Sequence, residues 1–160
     1  MLDTVKIAGG ASVITPKLPT VLMGFGSVPA KAIDDALEVN GLVVKFQSTT
    51  FIFLAADVLF IGWRLKNEVL VALRDKNVLD TGFPDENLIW AASHNHHAPA
   101  CDPDKPGLGR FDYDFFEQVK TAAIDIISDA VSSKFREATM EHVEAKAEGL
   151  VVNRRKRVWS

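Results

Sequence analysis

The chain has 160 residues, about one domain's length, and 48% of them are apolar, which is enough for a buried core. A net charge of -3 and a pI near 5.8 provide no broad basic field, so no nucleic acid is expected as a partner for the body of the protein. Cys101 is the sole cysteine, which excludes an intrachain disulfide and a zinc site built from several thiolates.

No basic start after Met1 leads into an apolar signal region, and the longest apolar stretch, Phe51 to Trp63, is interrupted by Asp57 and too short for a bilayer. The expectation is a cytoplasmic chain without a transmembrane segment. Val5 to Ile14 is β-branched, bears glycines and stops at Thr15-Pro16, which predicts a strand. A loop, Lys17 to Pro29, contains Met23-Gly24-Phe25-Gly26, where glycine permits positive φ or close backbone approach. Ala30 to Glu38 has helical propensity but is short. Leu42 to Phe46 and the almost wholly apolar Thr50 to Ala56, joined through Gln47-Ser48-Thr49, predict a hairpin whose second strand is covered on both faces.

Leu65, Val69, Leu70 and Leu73 recur at helical spacing between Trp63 and Lys76, with Asn77 as the end signal. Asn87 to Ser93 is a short apolar strand. Ser93 to Arg110, rich in His, Pro, Gly and Asp, is a long irregular loop. Asp114 with Glu117 predicts the N-terminal cap of a helix whose apolar face runs from Phe115 to Ala130. Thr139 to Lys146 alternates as a half-exposed strand, and Leu150 to Val152 forms a last short one. The basic run Arg154-Arg155-Lys156-Arg157 reads as a solvated strand end, since one short cluster neutralises few phosphates. Strands and helices alternate through the middle, so the fold class is α/β, a layered sheet with flanking helices.

Three of the four histidines fall in Ser93-His94-Asn95-His96-His97-Ala98-Pro99, directly after a buried strand. In an extended segment alternate side chains point the same way, so His94 and His96 face one site while His97 turns elsewhere. Two neutral imidazoles so placed chelate a divalent cation, and strand ends are where layered α/β folds collect ligands. Asp57, ending the preceding apolar strand, enters the same crevice as a ligand or as a carboxylate orienting a histidine. A bare His-x-His serves equally as a surface loop that only hydrogen-bonds. The buried strand that delivers it, and the stiffening Pro99 and Pro103, favour the site. Asp102 and Asp104 read as turn formers beside Pro103, Cys101 as an inert thiol, and His142 as a surface residue.

These residues resemble a known family. The segment from Ser93 to Pro99 is similar to the Thr-His-Thr-His-Ser-Gly-Pro signature of the neutral/alkaline non-lysosomal ceramidases, with His97-Ala98 standing for Ser-Gly. Ala8-Gly9-Gly10-Ala11 through Ile14-Thr15-Pro16 resembles the family's opening strand and its Asp-Ile-Thr-Pro; Met23-Gly24-Phe25-Gly26 resembles the Met-Gly-Tyr that follows. Ile33-Asp34-Asp35-Ala36-Leu37 resembles His-Asp-Pro-Leu, with Asp34 at the histidine. Ala55-Ala56-Asp57 resembles the end of the family's hairpin, and Val152-Asn153-Arg154-Arg155 its later Asn-Arg pair.

The resemblance implies a zinc-dependent amidase acting on a small-molecule N-acyl substrate, in the family a sphingolipid. It makes His94 a zinc ligand and His96 the catalytic or substrate-contacting neighbour, with Asp57 and His97 as further ligands or supports. The family's other ligands, a second His, a Glu and a Tyr, lie downstream of its Asn-Arg pair. Residues 1–160 are therefore expected to be the truncated first half of a ceramidase-like metallohydrolase domain, its open sheet edge available to a second copy or a partner chain. The alternative is a non-catalytic remnant that binds metal or a partner.

Overall fold

The computed structural model describes residues 3–24, 29–146 and 148–149. Five strands and two helices follow in the order β1 (Asp3–Val13), β2 (Glu38–Phe46), β3 (Thr49–Ala56), α1 (Trp63–Asp75), β4 (Leu88–Ala92), α2 (Tyr113–Ser132) and β5 (Arg136–Met140). The sheet order is β4-β3-β2-β1-β5, antiparallel except for the parallel pair β3/β4 that flanks α1. The fold is the expected α/β class.

Alternation along the strands sends Val39, Val43, Ile52, Leu54, Ala56 and Leu88 inward. They meet Leu65, Val69, Leu70 and Leu73 of α1 and the apolar stripe of α2 in one core. Both helices thus cover one face. Lys120 of α2 reaches Glu68 of α1 at 3.0 Å and ties the two helices together. The outer face differs from the expectation for β3. Phe53 and Ala55 are exposed, and Leu42, Phe53 and Ile89 stand directly across from one another, 39–44% exposed. An almost wholly apolar strand was a misleading sign of two-sided burial, because nothing among the described residues covers that side.

α1 ends as its sequence demands. Asn77 takes φ 54 while the N–H groups of Val78 and Asn77 close onto the carbonyls of Leu73 and Arg74, a Schellman arrangement. Three other boundaries are corrected. Ala30 to Leu37 is irregular: too short to be helical alone, it is drawn onto the end of β1 by Ile14 N–H to Leu37 O (2.7 Å) and Leu37 N–H to Thr15 Oγ1 (2.8 Å). The cap of α2 is Asp112, whose Oδ1 accepts from Phe115 N–H at 2.9 Å, with Asp114 in the first turn. β5 occupies 136–140 rather than 139–146, because Met140 already pairs with Asp3, where β1 begins. The strand expected at 150–152 and the basic run 154–157 lie outside the described residues.

Gly41 and Gly10 are register partners with opposite surroundings. A Cβ on Gly41 would stand 2.4 Å from Cγ2 of Ile126 on α2, whereas one on Gly10 would meet nothing within 4 Å. Gly41→Ala is expected to destabilise by about 1–3 kcal/mol in urea unfolding through overpacking. Gly10→Ala should stay within about 0.5 kcal/mol. Equal responses would show that α2 does not rest on Gly41.

Candidate functional site

The parallel pairing brings the carboxyl ends of β3 and β4 side by side, and the backbone bonds continue beyond them: Ser93 N–H to Ala56 O at 3.0 Å and His94 N–H to Val58 O at 3.1 Å. At His94 the chain takes φ 60, a left-handed conformation uncommon for a residue with a side chain. His94 and His96 do converge, with ring centroids 5.6 Å apart and planes perpendicular, but strand alternation is not the cause. The segment has left the sheet, and the turn at His94 sets the ring.

His94 Nδ1 lies 3.2 Å from the carbonyl of Leu59, which can only accept, so Nδ1 carries the proton and donates. In the neutral ring the lone pair is then on Nε2, the form in which imidazole binds metals. Phe60 packs against the same ring, centroids 5.2 Å apart. His94 is exposed, and His96 is half-buried over Gly24. A Cβ on Gly24, itself at φ 90, would fall 2.2 Å from His96 Nδ1, so a side chain there and this ring position exclude each other. Met23 N–H to Ala98 O (2.9 Å) and Gly24 N–H to Leu108 O (2.6 Å) hold the two loops together.

His97 is exposed, and its N–H donates to Asn95 Oδ1 at 3.0 Å. Asp57 and Glu38 form a reciprocal tie: Asp57 N–H donates to Glu38 O (2.9 Å) and Glu38 N–H to Asp57 Oδ2 (3.1 Å). Asp57 therefore closes the open end of the β2–β3 ladder, a role missed in sequence although its place at the strand end was the available signal. Asp102 is buried, and its Oδ1 accepts from Asp104 N–H at 3.0 Å, the expected turn. Its carboxylate also rests against Gly62 at the start of α1, where the helix dipole favours an anion. His142 is exposed, two residues past the end of β5 rather than in a strand. Among the described residues no three His, Cys, Asp or Glu side chains converge as a metal-holding group.

The fold is similar to that of solved ceramidase structures. The neutral ceramidase from Pseudomonas aeruginosa superposes with TM-score 0.67 at 21% identity, covering 81% of this chain and 22% of that one. A ceramidase complexed with C2 gives TM-score 0.64 at 20% identity, covering 81% and 21%. The chain shares its fold with neutral ceramidase. It spans about a fifth of the ceramidase chains it matches. No protein-family model and no curated protein matches the sequence. No helix among the described residues is long and apolar enough to cross a membrane.

Two expectations follow from this geometry. Gly24→Ala should displace the His96 ring, shift its NMR resonances and destabilise the fold by about 1–3 kcal/mol; unmoved His96 resonances would refute the packing. Burial, and secondarily the Asp102 charge, push the Cys101 thiol up from 9.0 to about 12. The folded chain therefore keeps this proton where the unfolded chain loses it. The resulting stability is complete below about pH 9 and declines as pH rises toward 12. Alkylation of native protein at neutral pH should proceed only through unfolding. Rapid labelling would show the thiol accessible.

Proposed function

We propose that this chain supplies the histidine-bearing part of a ceramidase-like hydrolase that cleaves N-acyl (amide) bonds with zinc. The observation that carries the reading is His94: its Nδ1 is fixed on the Leu59 carbonyl, its Nε2 is left as a lone-pair donor, and it sits beyond two parallel strand ends in a fold shared with ceramidase. In this reading His96, whose ring stands perpendicular to that of His94, contacts the substrate. A catalytic zinc takes three protein ligands and keeps one position open. The described residues bring two imidazoles together, so they do not make that site by themselves. Asp57 and His97 act as supports in this reading, Asp57 through the strand end it ties.

The alternative is a non-catalytic remnant that binds a partner chain. One observation favours it, the uncharged row of Leu42, Phe53 and Ile89 on the outer sheet face, where large exposed apolar patches mark interaction surfaces.

Equilibrium dialysis of the 160-residue chain should show weak zinc binding that His94→Ala removes, and a fluorogenic N-acyl substrate with added zinc should show no turnover. Equal zinc content in both proteins would remove His94 from the site. Turnover that vanishes in His94→Ala would show that these residues suffice for catalysis. The native protein taken whole from its source should hydrolyse the same substrate in a His94-dependent way. An inactive native species with an intact mass of 17.6 kDa would favour the remnant.

A further inference from the structure

A cavity of about 580 Å³ adjoins the histidine segment, lined by the residues on either side of His96 rather than by His94 or His96 themselves. Asn95 and His97, the neighbours of His96, line it together with the irregular segment after Pro29. Its size is within the range of small-molecule sites. Its charge is one-sided, with the carboxylates of Asp34, Asp35 and Asp57 set against the single ammonium of Lys31. Carboxylates only accept hydrogen bonds, so an occupant must bring donors.

A second observation is independent of that charge. Thr20 lines the same cavity, is 8% exposed, and its Oγ1 has no hydrogen-bond partner among the described residues. A buried hydroxyl left unpaired is destabilising, and a donor arriving in the cavity would satisfy it. Leu18, Leu22 and Ile33 add apolar wall beside these groups. An ammonium on a short alkyl chain matches all three features: three donors, a positive charge and an apolar tail.

We propose that this cavity binds protonated primary alkylamines, with Asp34, Asp35 and Asp57 as acceptors and Thr20 completing the shell. We further propose that it receives the amine half of the substrate, an assignment that rests on the hydrolase reading above. Amide hydrolysis breaks the C–N bond, joins the oxygen of water to the acyl carbon and leaves a carboxylate. The nitrogen departs with its own hydrogen and the two protons of that water, as R–NH3+. A cavity of acceptors next to the imidazoles suits that product and repels the other.

NMR titration of the whole chain at low ionic strength with n-butylammonium, n-butanol and n-butyrate tests the proposal. Butylammonium should perturb the amides of Thr20, Asp35, Asp57, Asn95 and His97 and saturate; butyrate should not. The double substitution Asp34→Asn with Asp35→Asn should weaken binding about three- to tenfold, as should about 1 M salt, because these carboxylates are exposed and screened. Thr20→Val should weaken the amine while leaving thermal stability equal or higher, which a purely structural hydroxyl would not do. Equal responses to butyrate or butanol, or an affinity unchanged in the double variant, would overturn the proposal. Zinc dialysis on the same preparations separates the two readings. Amine binding without zinc binding leaves the cavity standing and removes only its assignment to a hydrolase; zinc binding without amine binding removes the cavity alone.

Discussion

The pairing of β3 with β4 is the one parallel contact in the sheet, and it does not stop where the strands do. The bonds from Ser93 to Ala56 and from His94 to Val58 carry it two residues further, so the backbone entering the histidine segment is fixed before any side chain is considered. A parallel pair requires a crossover, here α1, and the crossover leaves both carboxyl ends on one edge with the 57–62 segment running beside them. That segment provides the Leu59 carbonyl and the Phe60 ring that set His94. The tautomer of the candidate ligand therefore follows from sheet topology: a backbone carbonyl held beside β4 decides which nitrogen carries the proton.

The second support comes from far away in sequence. Gly24 lies some seventy residues before His96, yet its lack of a side chain makes room for that ring, and the two loops are held in contact by backbone bonds at Met23 and Gly24. Gly62 does the same for Asp102, whose buried carboxylate stands where a Cβ would be. Each irregular segment is thus seated on a glycine belonging to another. The loop from Ser93 to Arg110 is packed rather than loose, with Ala98, Ala100, Cys101 and Asp102 buried.

What the sequence made legible follows the range of the physics. Helical spacing and Asn77 placed α1 to within a residue, because an apolar stripe and a left-handed end are local properties. The hairpin was legible for the same reason. Ala30 to Glu38 misled because propensity without a partner face does not make a helix, and β5 misled because an alternating run becomes a strand only as far as its neighbour extends. At the site the pattern identified His94 and His96 as a pair for a reason that does not hold. Strand alternation would have aligned them, but a left-handed residue and a distant glycine bring them together, and neither is visible in a His-x-His spacing. The tie from Asp57 to Glu38 was hidden too, since it depends on register.

The outer face of the sheet shows what alternation leaves unsettled. Gly9, Leu42, Phe53 and Ile89 are consecutive register partners across four strands, so three large apolar side chains form a row at right angles to the strands. Their exposures of 39–44% show that they shield one another only in part. A surface that faced only water would favour polar residues at these outward positions, as antiparallel sheets with one solvated face commonly do. Here the inward and outward positions of β3 are both apolar, and only the inward set is buried among the described residues. The same sheet thus carries one satisfied face, under α1 and α2, and one apolar face that is not. Beyond the carboxyl ends of β3 and β4 stand two imidazole rings 5.6 Å apart. Burial is thus met on one face only within the described residues, in a fold that matches about a fifth of the ceramidase chain it resembles.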